Sequence, residues 1–111
     1  MKYGEIWLVD FDPSVGHEFQ KQRPGVVIQT DIQIRKSSLA TIMPLTTNTK
    51  STVADDIVVT RNNRNHLFAD SVVKVYSIMS FDRSRFIRRI GAMQQTVMRD
   101  INSYITRHFG V

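Results

Sequence analysis

Apolar and polar positions alternate along most of the chain in short runs, which is the pattern of β-strands with one buried face. Residues 4–11 alternate in this way and end at Asp12-Pro13, a dipeptide that favours a turn. The β-branched run at 25–30 predicts a second, largely buried strand. Further strands are predicted, in chain order, at 38–45, 56–60, 71–78 and 86–92.

Polar segments separate the predicted strands. Residues 14–22 and the Asn-rich stretch 61–66 predict loops. Because proline cannot donate to a strand ladder, Pro44 predicts a sheet edge or a bulge at the end of its strand. We interpret the acidic pair Asp55 and Asp56 as a solvated turn.

From Met93 onward the apolar residues follow the period of an amphipathic helix. One face carries Met93, Val97, Ile101, Tyr104, Ile105 and His108. Gly110 suits the C-terminal end of this helix, where the helix dipole also favours the cations of Arg107 and His108. About six short strands followed by one helix predict a mainly β fold, a curled antiparallel sheet or small barrel closed on one side by the helix.

The length and charge of the chain narrow the choice of fold and partner. At 111 residues, positions 1–111 are expected to form a single domain with one core. Fifteen Lys and Arg against ten Asp and Glu give a net charge of +5, and the sequence pI is near 10.0. This charge favours a polyanionic partner such as nucleic acid, although it also suits a protein that is basic only for solubility.

The composition excludes several kinds of site. The chain contains no cysteine, which excludes disulfides and cysteine-bearing zinc sites and fits a reducing cytosol. His17, His66 and His108 are far apart and lack ligand spacing, so we expect no metal and no cofactor. Residues 1–13 lack the long apolar stretch of a signal peptide or membrane span, so we expect a cytoplasmic protein that does not associate with membranes.

An ordered set of motifs resembles the MazF/PemK/Kid toxins. In that family a strand ends at a D-P turn, a loop carries G-[SH]-E, and R-P opens the next strand, as in GEIWLVDFDPSVGHEFQKQRPGVVI at 4–28. The likeness continues through PLTTN at 44–48, DSVV at 70–73 and the terminal helix, and thus spans essentially the whole chain. It implies an SH3-like, partly open β-barrel with a C-terminal helix, the fold of the CcdB, Kid and MazF toxins.

The resemblance also implies a function. Toxins of this family are sequence-selective endoribonucleases of type II toxin-antitoxin systems, which cut single-stranded mRNA without a metal and inhibit translation and growth. The RNA 2′-hydroxyl attacks the adjacent phosphorus and leaves a 2′,3′-cyclic phosphate and a 5′-hydroxyl. The resemblance further implies a homodimer silenced by a cognate antitoxin protein. Such an enzyme must remove one proton, deliver another, and stabilise a pentacoordinate phosphorane.

Arg23 and Thr46 are the leading candidates for the phosphate site. A guanidinium binds two phosphate oxygens at once and keeps its charge, so Arg23 suits the stabilisation of the phosphorane. An isolated arginine is more often a surface residue in a salt bridge. The resemblance aligns Thr46 with an active-site Thr/Ser position. Without the resemblance, Thr46 and Thr47 would be expected to form hydrogen bonds with the backbone of their own loop.

His17 and Glu18 are the candidates for proton transfer. The resemblance places a Glu at position 18, and a His at position 17 in the branch that includes Kid. A carboxylate beside a cation and an imidazole that titrates near neutrality could each act as general base or acid. A structural role fits equally well, in which Glu18 pairs with an arginine and His17 faces solvent from the loop.

Four positions depart from the family pattern. Lys74 and Tyr76 stand where some members place an Arg and an Asp as an acid/base pair on the fifth strand, while Phe19 replaces a Gln and Lys21 a Gly. Lys74 can bind phosphate, and Tyr76 suits a stacking surface or a weak acid. The expected RNA-binding residues are Lys21, Thr47, Lys74, Tyr76 and Phe19. These departures leave the identity of the acid and the base open.

Two other functions fit parts of the sequence. A toxin of the same fold could act without catalysis, as CcdB-like members do by trapping DNA gyrase, but the Arg-Pro and Thr residues argue against it. A plain basic RNA-binding barrel would explain the charge. It would give no reason for the ordered G-H-E, R-P and L-T-T motifs.

Overall fold

The computed structural model describes residues 1–12, 21–50 and 52–111, so His17, Glu18 and Phe19 lie outside the described residues. The described strands are β1 (Glu5–Asp10), β2 (Gln22–Val27), β3 (Leu39–Thr46), β4 (Ile57–Val59), β5 (Ser71–Val73), β6 (Met79–Asp82) and β7 (Phe86–Ala92). The helices are α1 (Asp31–Arg35) and α2 (Gln95–Phe109), and a 3-10 turn covers Arg83–Arg85. The predicted mainly β fold with a C-terminal helix is confirmed.

The strands form one curled antiparallel sheet with the order β4-β5-β3-β2-β1-β7, and β6 pairs with the first half of β3. The outer strands β4 and β7 do not pair with each other within the described ranges. The sheet is therefore a partly open barrel, as predicted.

Two clusters of buried side chains fill the two faces of the sheet. The larger cluster lies under α2, which buries Val97, Met98, Ile101 and Tyr104. The smaller cluster includes Val9, Phe11, Val27, Ile34 and Ile42, with Ile34 supplied by α1. Removal of these apolar surfaces from water is the main force that holds the helices to the sheet.

The prediction that Pro44 lies at a sheet edge or a bulge is wrong. Pro44 is buried inside β3, opposite Gly25 of β2. On its other side β3 pairs with β6 over Leu39–Ile42 and with β5 from Leu45 onward, so Pro44 falls where the partner strand changes. The missing N–H causes no loss there, and the Pro44 carbonyl still accepts a hydrogen bond from Lys74 N at 2.9 Å.

Several predicted element boundaries are also wrong. The predicted strand 71–78 ends at Val73, because Ser77 N donates to the Lys74 carbonyl and closes a turn before β6. The second strand begins at Gln22 rather than Gly25, and α2 begins at Gln95 rather than Met93. The other four predicted strands match β1, β3, β4 and β7 to within a residue or two, whereas β6 was not predicted.

Candidate functional site

A small cavity of about 130 Å³ opens where β2 begins, β3 ends and β5 begins. Three predicted site residues, Arg23, Thr46 and Thr47, line it together. The other lining residues are Gln22, Pro24, Leu45, Leu67, Phe68 and Ser71. The structure thus brings together residues from the R-P and L-T-T motifs.

The strand register explains why Arg23 and Thr46 meet. Gly25 of β2 lies opposite Pro44 of β3 in an antiparallel ladder. Continuing this register by two residues places Arg23 beside Thr46 on the same face of the sheet, because side chains alternate with a period of two. Both residues are half-buried. Because Arg23 lies on β2 and Thr46 on β3, their backbones are held in place by the sheet.

The Thr46 hydroxyl makes a local contact at the cavity. Its oxygen accepts a hydrogen bond from Asn48 N at 3.2 Å, the backbone bond that the residues alone favour. Because the oxygen is the acceptor, the hydroxyl hydrogen can still donate to a phosphate oxygen. Thr47 is exposed at the mouth of the cavity. Thr46 can therefore fill both the structural and the predicted chemical role.

Lys21 precedes this site in an unusual backbone conformation. Its φ is 63°, in the left-handed region that favours the glycine of the family pattern. A side chain in this region costs about 1–2 kcal/mol. Two hydrogen bonds offset the cost: Lys21 N donates to Asp12 Oδ1 at 2.8 Å, and Phe11 N donates to the Lys21 carbonyl at 2.8 Å. The exposed Lys21 side chain is outside the cavity lining.

Lys74 also lies outside the cavity and forms an ion pair. Its Nζ is 2.6 Å from Oδ2 of Asp56, whose side chain is fully buried. The same oxygen accepts from Val53 N at 3.1 Å. The interpretation of Asp55 and Asp56 as a solvated turn is therefore wrong for Asp56. The pair continues the antiparallel register of β4 and β5, in which Ile57 lies opposite Val73, and this register was not predicted from the sequence.

Tyr76 belongs to an aromatic cluster at the end of α2. Its hydroxyl donates to Oδ2 of Asp55 at 3.1 Å, and its ring meets Tyr104 and His108 edge-on at centroid distances of 5.5 and 6.0 Å. The hydrogen bond to the Asp55 carboxylate raises the pKa of Tyr76 above its ordinary value, and desolvation raises it further. Lys74 and Tyr76 follow β5 rather than lying on it, which corrects their predicted placement.

Sequence reasoning missed Phe68, which lines the cavity although its side chain is highly exposed. The signal was an aromatic residue two positions before the D-S-V-V motif, directly after an Asn-rich polar stretch. A larger hollow of about 400 Å³ lies between Tyr3, Arg64 and α2, and it contains none of the predicted site residues. Cavity size and the sequence motifs therefore point to different surfaces.

Within residues 1–12, 21–50 and 52–111, no three His, Cys, Asp or Glu side chains cluster as metal ligands do. In the same part of the chain, neither helix is long and apolar enough to cross a membrane.

Comparison with known proteins adds independent information. The family model of the PemK-like, MazF-like toxins of type II toxin-antitoxin systems matches residues 2–109. The chain is 30% identical to "Endoribonuclease MazF6" of Mycobacterium tuberculosis over 105 residues, which cover 93% of this chain and 91% of that relative.

Solved structures agree in fold. MazF from Deinococcus radiodurans superposes with a TM-score of 0.83 at 20% identity, covering 100% of this chain and 97% of that chain. A MazE–MazF structure from the same organism gives a TM-score of 0.77 at 17% identity, covering 100% and 96%. Since the family model spans nearly all of the sequence, the chain belongs to the PemK-like, MazF-like toxins of type II toxin-antitoxin systems.

Proposed function

We propose that this protein is the toxin of a type II toxin-antitoxin system and a sequence-selective endoribonuclease that cuts single-stranded RNA. The observation that carries the proposal is the shared cavity of Arg23 and Thr46, which joins a permanent cation to a hydroxyl donor. Relatives at up to 30% identity over most of the chain are named endoribonucleases, which supports the same activity here.

The proposed reaction needs no nucleophile from the protein. A base takes the proton of the RNA 2′-hydroxyl, the 2′-oxygen bonds to phosphorus, and the bond from phosphorus to the 5′-oxygen breaks as an acid protonates that oxygen. The products are a 2′,3′-cyclic phosphate and a 5′-hydroxyl. We assign no metal and no cofactor to these steps.

Arg23 and Thr46 would stabilise the phosphorane. The guanidinium can donate two parallel hydrogen bonds to non-bridging oxygens, which gain charge in the transition state. The Thr46 hydroxyl can donate to a third oxygen or to the leaving 5′-oxygen. Because both residues are half-buried, their interactions with the reacting phosphate are stronger than they would be in bulk water.

The proton-transfer groups are proposed from the sequence. His17 and Glu18 remain the candidates for base and acid, since they precede Arg23 in the motif shared with the family. Tyr76 does not suit the base, because its hydroxyl donates to Asp55 and its raised pKa keeps it protonated at neutral pH. A tyrosine with a raised pKa is also a weaker acid than an ordinary one.

We further propose that the toxin works in the cytoplasm as a homodimer and is inhibited by a cognate antitoxin. A structural relative is known as a MazE–MazF assembly, which supports a protein partner for this chain. The net charge of +5 suits both RNA and an acidic antitoxin segment.

A cleavage assay tests the proposed function. Pure protein is incubated with a long single-stranded RNA in excess EDTA, and the 5′-hydroxyl ends are sequenced. We expect cuts at a short recurring motif. A synthetic substrate with one 2′-deoxy sugar on the 5′ side of the scissile phosphate should resist cleavage, because the nucleophile is missing. Continued cutting at that position, or activity only with added metal, would contradict the mechanism.

The same assay separates the other two functions. A toxin that acts on gyrase without catalysis would leave the RNA intact and would show no retention of RNA. A plain RNA-binding barrel would retain the RNA and leave it uncut.

A further inference from the structure

Phe68 combines high exposure with a position at the candidate site. Its side chain is 78% exposed, yet it lines the cavity that holds Arg23 and Thr46. A single exposed apolar side chain on a protein surface is ordinary. An aromatic ring beside a guanidinium and a hydroxyl is less ordinary, because it offers an apolar face within reach of a charged ligand.

The backbone before Phe68 is held by a buried asparagine. Asn65 is fully buried, and its Oδ1 accepts from Asn62 N at 3.0 Å and from Leu67 N at 3.1 Å. Its Nδ2 donates to the Thr60 carbonyl at 3.0 Å. The Asn62 side chain in turn accepts from the backbone of Arg64 and Asn65 at 2.9 and 2.8 Å. These bonds fix the course of the segment between β4 and β5.

The residues on either side of Phe68 are anchored as well. Leu67 is buried in the larger core cluster. On the other side, Ser71 Oγ donates to the Ala69 carbonyl at 3.0 Å, and Asp70 Oδ1 accepts from Arg61 N at 2.9 Å. Phe68 is therefore presented outward by a backbone that is tied on both sides. Little backbone conformational entropy therefore remains to be lost when a ligand packs on its ring.

We propose that Phe68 stacks on an unpaired RNA base next to the scissile phosphate and thereby helps to select the cleaved position. This inference rests on the proposed endoribonuclease function. Recognition of single-stranded RNA commonly relies on bases stacked against aromatic side chains, since every base has a π-face. With Arg23 at the phosphate, the ring at the rim of the same cavity is placed to meet a base of a neighbouring nucleotide.

RNA binding by Phe68 variants tests the stacking. The probe is a single-stranded oligonucleotide that contains the mapped cleavage motif with a 2′-deoxy sugar at the cut, so that it binds without being cleaved. Loss of one stacked base weakens binding roughly 5- to 150-fold, which is the effect expected for Phe68→Ala. Phe68→Trp should retain binding. Phe109→Ala, which removes another exposed aromatic ring outside the cavity lining, serves as the matched control and should bind as the wild type does.

An abasic scan locates the base. Removing single bases near the cut should weaken binding to the wild-type protein most strongly at one position. The same removal should have little further effect in Phe68→Ala, because the ring and the base act as one pair. Additive effects at every position would overturn the proposal. So would a Phe68→Ala protein with wild-type RNA affinity, or one whose loss of RNA affinity is explained by loss of dimer assembly.

The outcomes separate this inference from the proposed function. If the wild-type protein cuts no RNA, the endoribonuclease proposal itself fails. If it cuts RNA and Phe68→Ala binds and cuts with unchanged constants, only the stacking role fails.

Discussion

Nζ of Lys74 lies 2.6 Å from Oδ2 of Asp56. The Asp56 side chain is fully buried, and the Lys74 side chain is 19% exposed. The predicted phosphate-binding lysine thus has an intramolecular partner. A buried carboxylate needs a cation or several hydrogen bonds to offset its desolvation. The pair therefore bears on the stability of the fold as well as on RNA binding.

We expect Lys74→Met to destabilise the protein, because it leaves the Asp56 carboxylate buried without its cation. Removing one partner of a buried ion pair typically costs about 3–5 kcal/mol, and the partial exposure of Lys74 favours the lower end. Urea unfolding measures the loss. The double variant with Asp56→Leu should regain much of it. A Lys74→Met protein of unchanged stability and reduced RNA affinity would instead make Lys74 an RNA ligand.

Tyr76 should titrate above an ordinary tyrosine. The hydrogen bond to the Asp55 carboxylate and desolvation raise its pKa, so the folded protein holds this proton more tightly than the unfolded chain. The resulting stabilisation is present below the ordinary pKa of about 10 and is lost as pH rises through the raised value. Tyrosinate absorbance against pH, with Tyr76→Phe to assign the signal, measures the shift. Asp55→Asn should return the pKa of Tyr76 toward its ordinary value. An unchanged titration in Asp55→Asn would show that the Asp55 carboxylate does not cause the shift.

The pH dependence of cleavage should identify the base. If His17 is the base, kcat/KM rises through a pKa of about 6–7, and this limb disappears in His17→Gln. If Glu18 serves, the limb lies at lower pH and survives that substitution. A profile that neither His17→Gln nor Glu18→Gln alters would exclude both residues as the base and assign proton transfer to another group or to solvent.

Antitoxin inhibition should be competitive with RNA. A +5 toxin that attracts phosphates also attracts a carboxylate-rich segment, which gains affinity by folding over a large surface. We expect a tail peptide of the antitoxin to displace labelled, uncleavable RNA from the surface containing Arg23, and to bind less tightly as salt is added. A titration at two salt concentrations measures both effects. A peptide that binds without displacing RNA would place the inhibitory site elsewhere.

The sequence predicted the elements whose apolar residues repeat with a clear period. The terminal helix buries Val97, Ile101 and Tyr104, as its spacing indicated. The helix α1 escaped prediction because its five residues are too few to display a helical period. The strand predicted at 71–78 was too long because the alternation continues through the turn at Lys74.

The candidate site was predictable only in part. The motifs suggested Arg23 and Thr46 as candidates, and their proximity follows from the antiparallel register of β2 and β3. The partner of Lys74 was not predicted, because its contact with Asp56 continues the β4–β5 register, in which Ile57 lies opposite Val73, and the sequence pattern does not set that register. The outward position of Phe68 likewise depends on hydrogen bonds of Asn65, and the sequence pattern does not predict these bonds.

We propose that RNA is cut in the cavity of Arg23 and Thr46. The most direct measurement compares kcat/KM for one RNA substrate in EDTA among the wild type, Arg23→Ala and Arg88→Ala, an exposed arginine of β7 that serves as the control. Loss of a transition-state donor lowers the rate by about 10²–10³, or more for a charged one. We predict a loss of at least this size in Arg23→Ala with unchanged thermal unfolding, a smaller loss in Thr46→Ala, and wild-type activity in Arg88→Ala. Wild-type cleavage by a folded Arg23→Ala protein would exclude Arg23 from the active site.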